Sequence, residues 1–401
     1  MNINTMRKID RYAGIPLTFI ATLIVKFFDL FKKPPPLIKK ILFIELSEMG
    51  STILADPAMR KAKQYFSAEL YFVIFNKNKP SLDILQTISK ENIFTIRENN
   101  FALFIWDAFR YLLWCRKQKF TATVDLELFS RASALLTGLS GAAYRVGFYA
   151  FHSEGLYRGN MLTHNVAYNP YMHIAKNFIA LVEALIRNNN ELPYAKTLID
   201  DAQLKLPKVQ SNKINRDKIY KKIATLNSHF CPTRNPIVLI NSNASDLLPQ
   251  RRWMPEYFIT LIKTIITNHP QHYILLTGAP NEREQAAYLA TAVNDPRCIN
   301  FAGAIKFLQL IDLYNVSTVM VSSDSGPGHF SAVTSLKTFI LFGPETPKLY
   351  GSLGNSTSIY SQLTCSPCVS AANHRHTPCR NNVCLQVIKP EYVYQLIKPV
   401  L

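Results

Sequence analysis

At 401 residues with 48% hydrophobic content, the chain has the length of two ordinary α/β domains, each with its own core, and is no disordered tail. Its 45 Lys and Arg outweigh 27 Asp and Glu, and the net charge of +18 calls for an anionic partner: nucleic acid, a phosphorylated substrate or an acidic membrane face. The chain carries no RNA-recognition signature, no zinc-finger spacing of two Cys then two His and no internal repeat, which sets nucleic acid aside. Cys115, Cys231 and Cys298 are scattered singly, as suits thiols used as small hydrophobes in a reducing compartment.

The N-terminal stretch 1–36 has an apolar core, Ile15 to Val25, too short for a comfortable membrane span of about 20 residues, and Lys26 and Asp29 interrupt its continuation. Arg7, Lys8 and Arg11 precede it, but no small-residue cleavage site follows, which argues against a signal peptide. A helix lying in the membrane interface, with cationic flanks on anionic head groups, is the reading preferred; a helix packed on the protein's own core is the alternative. Pro34 to Pro36 read as a stiff spacer.

A first domain is expected over 37–205. Ile41 to Leu46 is a short apolar run typical of a buried strand, and Ser47-Glu48-Met49-Gly50-Ser51-Thr52 turns from it into a helix ending near Phe66. Strands follow at Ala68 to Phe75, Asn92 to Ile96, Thr121 to Leu126 and Arg145 to Phe148, with helices at Phe101 to Lys117 and His173 to Arg187. Residues 206–235 are polar and read as the connection between domains, with one amphipathic helix near Arg216 to Leu226.

The second domain, 236–401, restarts with the strand Ile237 to Asn241 and a long loop that contains Asn243 and Arg251. A helix from Pro255 to Asn268, a strand from Tyr273 to Thr277 and further alternation lead to Thr318 to Val321. Two successive units of this kind predict parallel sheets with a cleft between domains.

The stretch Val321 to Tyr350 carries the most legible chemistry. Asp324-Ser325-Gly326 supplies an acid, a hydroxyl and a free backbone, Gly328 permits close approach, and a helical run from His329 to Ser335 would offer unpaired N–H groups to a pyrophosphate. Taken alone, DSGPGH reads rather as a helix cap with His329 packed in the first turn. The second strand-end loop, Gly343-Pro344-Glu345-Thr346-Pro347, lies on the same sheet edge and favours a pocket.

DSGPGHFSAV followed by LFGPETP resembles the C-terminal signature of glycosyltransferase family 9, the heptosyltransferase family of lipopolysaccharide synthesis. The resemblance implies a GT-B architecture of two Rossmann-like domains facing a central cleft. It also implies a nucleotide-sugar donor, ADP-heptose by family default, gripped mainly by the second domain. The family's Lys-x-Trp-Pro motif falls on Arg251-Arg252-Trp253-Met254, which puts Arg251 on the donor phosphate, where its fork suits the task. Asn243, Asp324, Ser325, Gly326 and His329 join it as donor binders, and Glu282 matches an acid near the ribose, with a helix N-terminal acid as the alternative.

Transfer with inversion needs a base for the acceptor hydroxyl. In the family this is the Asp of a Gly-Asp pair; here the matching pair is Gly50-Ser51. Glu48 is the preferred substitute, with Ser51 beside it, while Asp56 reads as a helix-stabilising acid. The missing Asp gives weight to a catalytically silent relative. Arg60, Arg131, Arg145, Arg158 and His164, with Gly50 and the loop Glu154 to Gly159, are candidates for an anionic glycolipid acceptor, of which one or two are expected to act. Cys365, Cys368, Cys379 and Cys384, with His374 and His376 between, have a fair structural-zinc spacing; a disulfide and plain buried thiols stay open. No catalytic metal is required. The protein is expected in the cytoplasm, peripheral on the inner membrane.

Overall fold

The computed structural model describes residues 3–31, 37–128, 130–151, 156–187, 192, 194–245, 248–370 and 375–401. The proline spacer, His374, and Glu154 and Gly155 of the supposed acceptor loop lie outside these. The chain divides into two compact units, Met1–Lys205 and Leu206–Leu401.

The first unit is built on β1 (Lys40–Ile44), β2 (Glu69–Phe75), β3 (Ile93–Ile96), β4 (Ala122–Asp125), β5 (Tyr144–Phe148) and β6 (His164–Val166), in the order β3-β2-β1-β4-β5-β6 with every pairing parallel. Ile41, Leu42, Phe43 and Ile44 are fully buried, because a parallel sheet is covered on both faces and leaves no side of its central strand to water. The helix Met49–Phe66 follows β1, begins four residues before the expected Ile53, and packs against the helix Ile174–Ile186.

The helix Gly14–Asp29 is tied to this unit by its small-residue face. Ala21 and Val25 pack with Ala134 and Met161, and Thr22 Oγ1 accepts the Asn160 N–H at 2.9 Å. At the far end Asp29 meets Arg145, and in the preceding helix Ile3–Tyr12 Asp10 accepts the N–H groups of Arg131 and Ala132 at the start of the helix Arg131–Leu139. The other faces of Gly14–Asp29 stay bare, with Phe19, Leu23, Phe27 and Phe28 all more than half exposed. No helix among the described residues is long and apolar enough to cross a membrane.

The second unit repeats the plan with β7 (Ile237–Asn241), β8 (Tyr273–Leu276), β9 (Cys298–Asn300), β10 (Val319–Ser323), β11 (Lys337–Phe342) and β12 (Ser356–Tyr360), in the order β12-β11-β10-β7-β8-β9 and again all parallel. Counted from the first strand of each unit, both sheets have the 3-2-1-4-5-6 order of a dinucleotide-binding fold. The stretch 206–235, expected as a connection, packs into this unit: Lys208 Nζ donates to the carbonyls of Ala332 and Thr334, and Ser211 Oγ to Asp312. Its helix, Lys213–Leu226, lies on the helix Leu310–Asn315.

Candidate active site

The strand order reverses between β1 and β4 in the first unit and between β7 and β10 in the second, and such switch points open a crevice at the carboxyl ends of the strands. Most of the sequence-derived residues lie at these carboxyl ends; Arg145 and His164 stand at the starts of β5 and β6, and Arg60 lies well along the helix Met49–Phe66.

In the second unit β7 ends at Asn241 and β10 at Ser323, so Ser242-Asn243 and Asp324-Ser325 leave the sheet side by side, with Ser323 Oγ donating to the Ser242 carbonyl at 3.3 Å. The helix that follows is shorter than the expected run from His329: it spans Gly326–Phe330, then tightens into a 3-10 turn at Ser331–Val333. A side chain at Gly328 would come within 2.8 Å of Ile340, so glycine is what lets this turn sit on β11. His329 is buried, at 8% exposure.

Arg251 reaches this edge from a 3-10 turn at Pro249–Arg251, braced by the neighbouring Trp253, which is fully buried and donates its indole N–H to the Ile388 carbonyl at 3.0 Å. Its guanidinium lies 3.3 Å from Glu345 and 3.9 Å from Asp324. Both carboxyls are buried, at 2% exposure each. Burial, then the charge of Asp324, pushes the Glu345 carboxyl up to about 8; burial also raises Asp324, opposed by Arg251. Burial beside Asp324 thus favours the protonated form of Glu345. Glu345 was not among the residues assigned from sequence; its place in the second strand-end loop was the available signal.

Two buried donors here, Asn243 Nδ2 and Arg251 Nε, have no hydrogen-bond partner among the described residues. Unsatisfied buried donors are costly, and an acceptor-rich ligand resolves the cost. Glu282 lies elsewhere on the edge, where its carboxylate accepts the Ala279 N–H at 2.7 Å and closes the start of the helix Arg283–Val293.

In the first unit Glu127 Oε1 accepts from the N–H groups of Leu46 and Ser47 and from Ser47 Oγ, at 2.8 to 3.0 Å, and so shapes the loop after β1. Glu48 precedes the first turn of Met49–Phe66, partly exposed, with Ser51 Oγ donating to its carboxylate at 3.2 Å. Gly50 lies in that turn. Asp56 is fully buried, paired with Arg60 at 2.8 Å and accepting from Thr87, which places it inside the unit and away from solvent. Arg60 also donates to the Lys205 carbonyl.

The other acceptor candidates have partners within the chain. Arg131 binds Asp10 and the Tyr157 carbonyl, and Arg158 binds Asp125, Ser133 and the carbonyls of Glu127 and Ser130. Arg145 is buried against Asp29, Ala142 and Met161, and burial with this nearby charge pulls His164 down to about 4. Arg131 and Arg158 organise the loops after β4, whereas Arg145 and His164 stand at the starts of β5 and β6, on the opposite edge of the sheet.

The four clustered cysteines are free thiols, and among the described residues no set of three or more Cys, His, Asp or Glu is arranged to hold a metal. Burial, then the thiols of Cys368, Cys379 and Cys365, pushes Cys384 up to about 11.

Two Rossmann-like units with switch-point sites of this kind define a GT-B fold. The sequence profile of glycosyltransferase family 9 (heptosyltransferase) matches residues 115–377, and the chain belongs to that family. It is 24% identical over 177 residues to a lipooligosaccharide heptosyltransferase 2 of Campylobacter jejuni; the match takes in 41% of this chain and 54% of the relative, about half its length. Among solved structures, E. coli ADP-heptose lps heptosyltransferase II is similar with a TM-score of 0.68 and 18% identity, over 90% of this chain and 98% of that one. The E. coli heptosyltransferase WaaC with ADP-2-deoxy-2-fluoro heptose is similar with a TM-score of 0.59 and 15% identity, over 90% and 99%.

Proposed function

We propose that the protein is an inverting glycosyltransferase that moves a sugar from a nucleoside-diphosphate donor to a lipooligosaccharide or related glycolipid. The observation that carries this reading is the second unit's switch point, where Arg251 and Asn243 hold buried donors without acceptors among the described residues, beside Asp324 and Ser325. A diphosphate supplies acceptors of the required charge. ADP-heptose is the donor preferred, since one solved relative holds an ADP-heptose analogue.

In the reaction the acceptor hydroxyl attacks the anomeric carbon as the bond from that carbon to the diphosphate oxygen breaks. The leaving diphosphate gathers charge, and Arg251 offsets it. The hydroxyl proton passes to a base, for which Glu48 is assigned: it is the carboxylate of the loop after β1 that is open to solvent, and Ser51 orients it. Serine alone is too weak a base at neutral pH. No catalytic metal is invoked, because the guanidinium supplies the countercharge.

The acceptor is a lipid, and the bare apolar faces of Gly14–Asp29 fit a protein resting on the cytoplasmic face of the inner membrane. The helix Phe101–Gln118 adds Phe101, Ile105, Trp106, Phe109 and Leu113, all exposed, together with Arg116 and Lys117 in its last turn. Incubation with ADP-heptose and a heptose-deficient lipooligosaccharide tests the reading by the mass gained on the acceptor. Thermal stabilisation by nucleotide sugars without transfer to any glycolipid would instead favour a silent binding protein.

A further inference from the structure

We propose that Arg375, carried by the cysteine-bearing loop near the C-terminus, is a second ligand of the donor diphosphate, and that Glu345 positions it together with Arg251. The inference rests on the donor reading above.

Glu345 lies between two guanidiniums: Arg251 Nη1 is 3.3 Å from one of its carboxyl oxygens and Arg375 Nε is 3.4 Å from the other. The Arg375 guanidinium also stacks 5.0 Å from the centroid of the Tyr350 ring, which fixes its plane. The segment that carries it is fastened to the donor edge at several points. Ser366 Oγ donates to the Gly343 carbonyl, and the N–H groups of Cys368 and Val369 both donate to the Pro344 carbonyl at 3.1 Å. A side chain at Gly343 would come within 2.8 Å of Leu385, so the loop after β11 and the C-terminal segment are in direct contact there. On the other side Gln250 Nε2 donates to the Cys379 carbonyl and Asn382 Nδ2 to the Arg252 carbonyl, each at 3.3 Å. The cysteine loop thus joins the Arg251 turn to the Glu345 loop and delivers its own arginine between them.

The charges leave this group short of an anion. Two guanidiniums face two buried carboxyls, Asp324 and Glu345, and burial favours the protonated form of Glu345, so positive charge is in excess among these four side chains. Arg251 Nε and Asn243 Nδ2 are still without acceptors there among the described residues. A ligand with two linked phosphates satisfies both needs, and two forks that converge from different loops suit two phosphates better than one. Glu345 holds the arginines ready while the ligand is absent.

Titration calorimetry of the full chain with ADP, UDP, AMP and UMP tests this, using the unaltered protein, Arg375→Ala and Arg375→Lys. Arg375→Ala is expected to weaken the diphosphates by about 10-fold or more, the usual range for a charge-assisted hydrogen bond, and the monophosphates by less than about 2-fold, with Arg375→Lys recovering part of the loss. Equal weakening of mono- and diphosphates would mean that Arg375 only supports the loop, and no weakening would mean that it does not touch the ligand; either overturns the inference and leaves the donor reading standing. Failure of the unaltered protein to bind any of the four would remove the donor reading and the inference with it.

Discussion

Asp29, the last residue of the helix Gly14–Asp29, forms an ion pair of 2.5 Å with Arg145 on β5, whose side chain is 1% exposed. The N-terminal helix is therefore a structural part of the first unit. Removing the partner of a buried charge is costly, about 3 kcal/mol or more where the charge stays dry. Asp29→Asn is expected to destabilise the unit by about 1–3 kcal/mol, the smaller figure reflecting the partly exposed Asp29 and the two carbonyls that Arg145 keeps. Urea unfolding with both variants of the pair, and the double variant, checks it.

The same helix presents its remaining apolar surface to whatever lies outside. Phe19→Glu with Phe27→Glu should abolish sedimentation with vesicles that contain phosphatidylglycerol and leave the melting temperature within a few degrees, since both residues are exposed. Retained sedimentation would place the contact elsewhere.

Glu345 makes stability depend on pH. Its folded value, near 8, lies above the ordinary 4.5, so the folded protein holds a proton that the unfolded chain gives up. Stability from this group is complete below about pH 4.5 and is lost as pH rises toward 8. Glu345→Gln, which keeps the shape without the titration, is expected to flatten the fall in melting temperature between pH 5 and 8 when no nucleotide is present. An unchanged slope would mean that Glu345 is already ionised against its two arginines.

Arg251→Ala should lower affinity for ADP by about 10- to 100-fold, the effect of losing a charge-assisted contact in a buried site. Arg251→Lys should recover only part of it, because lysine keeps the charge and loses the fork. Calorimetry distinguishes these from a folding defect if the melting temperature is followed alongside.

Much of the fold was legible because buried parallel strands are continuous apolar runs: β1, β2, β7 and β10 stand where such runs stand in the sequence. Elements with weaker patterns were not legible. β12, STSIY, is polar and half exposed at a sheet edge, β6 is three residues long, and the helix Arg131–Leu139 hides behind Ser and Thr. At the site, glycines and charged residues at strand ends marked the loops, but pairings between distant segments left no sequence pattern. Nothing in the spacing of Arg131, Arg145 and Arg158 shows that Asp10, Asp29 and Asp125 lie against them. Nor does sequence place Arg375 on Glu345, thirty positions away.

The most direct measurement is the rate of sugar transfer from ADP-heptose to a heptose-deficient lipooligosaccharide by the unaltered protein and by Glu48→Gln, with ADP affinity measured on both. A base that takes the acceptor proton contributes about 100- to 10,000-fold. Measurable transfer by the unaltered protein is expected, with a loss of at least about 100-fold in Glu48→Gln and the same ADP affinity in both. Full transfer by Glu48→Gln would contradict the assignment of the base, and nucleotide binding without transfer by the unaltered protein would contradict the assignment as a glycosyltransferase.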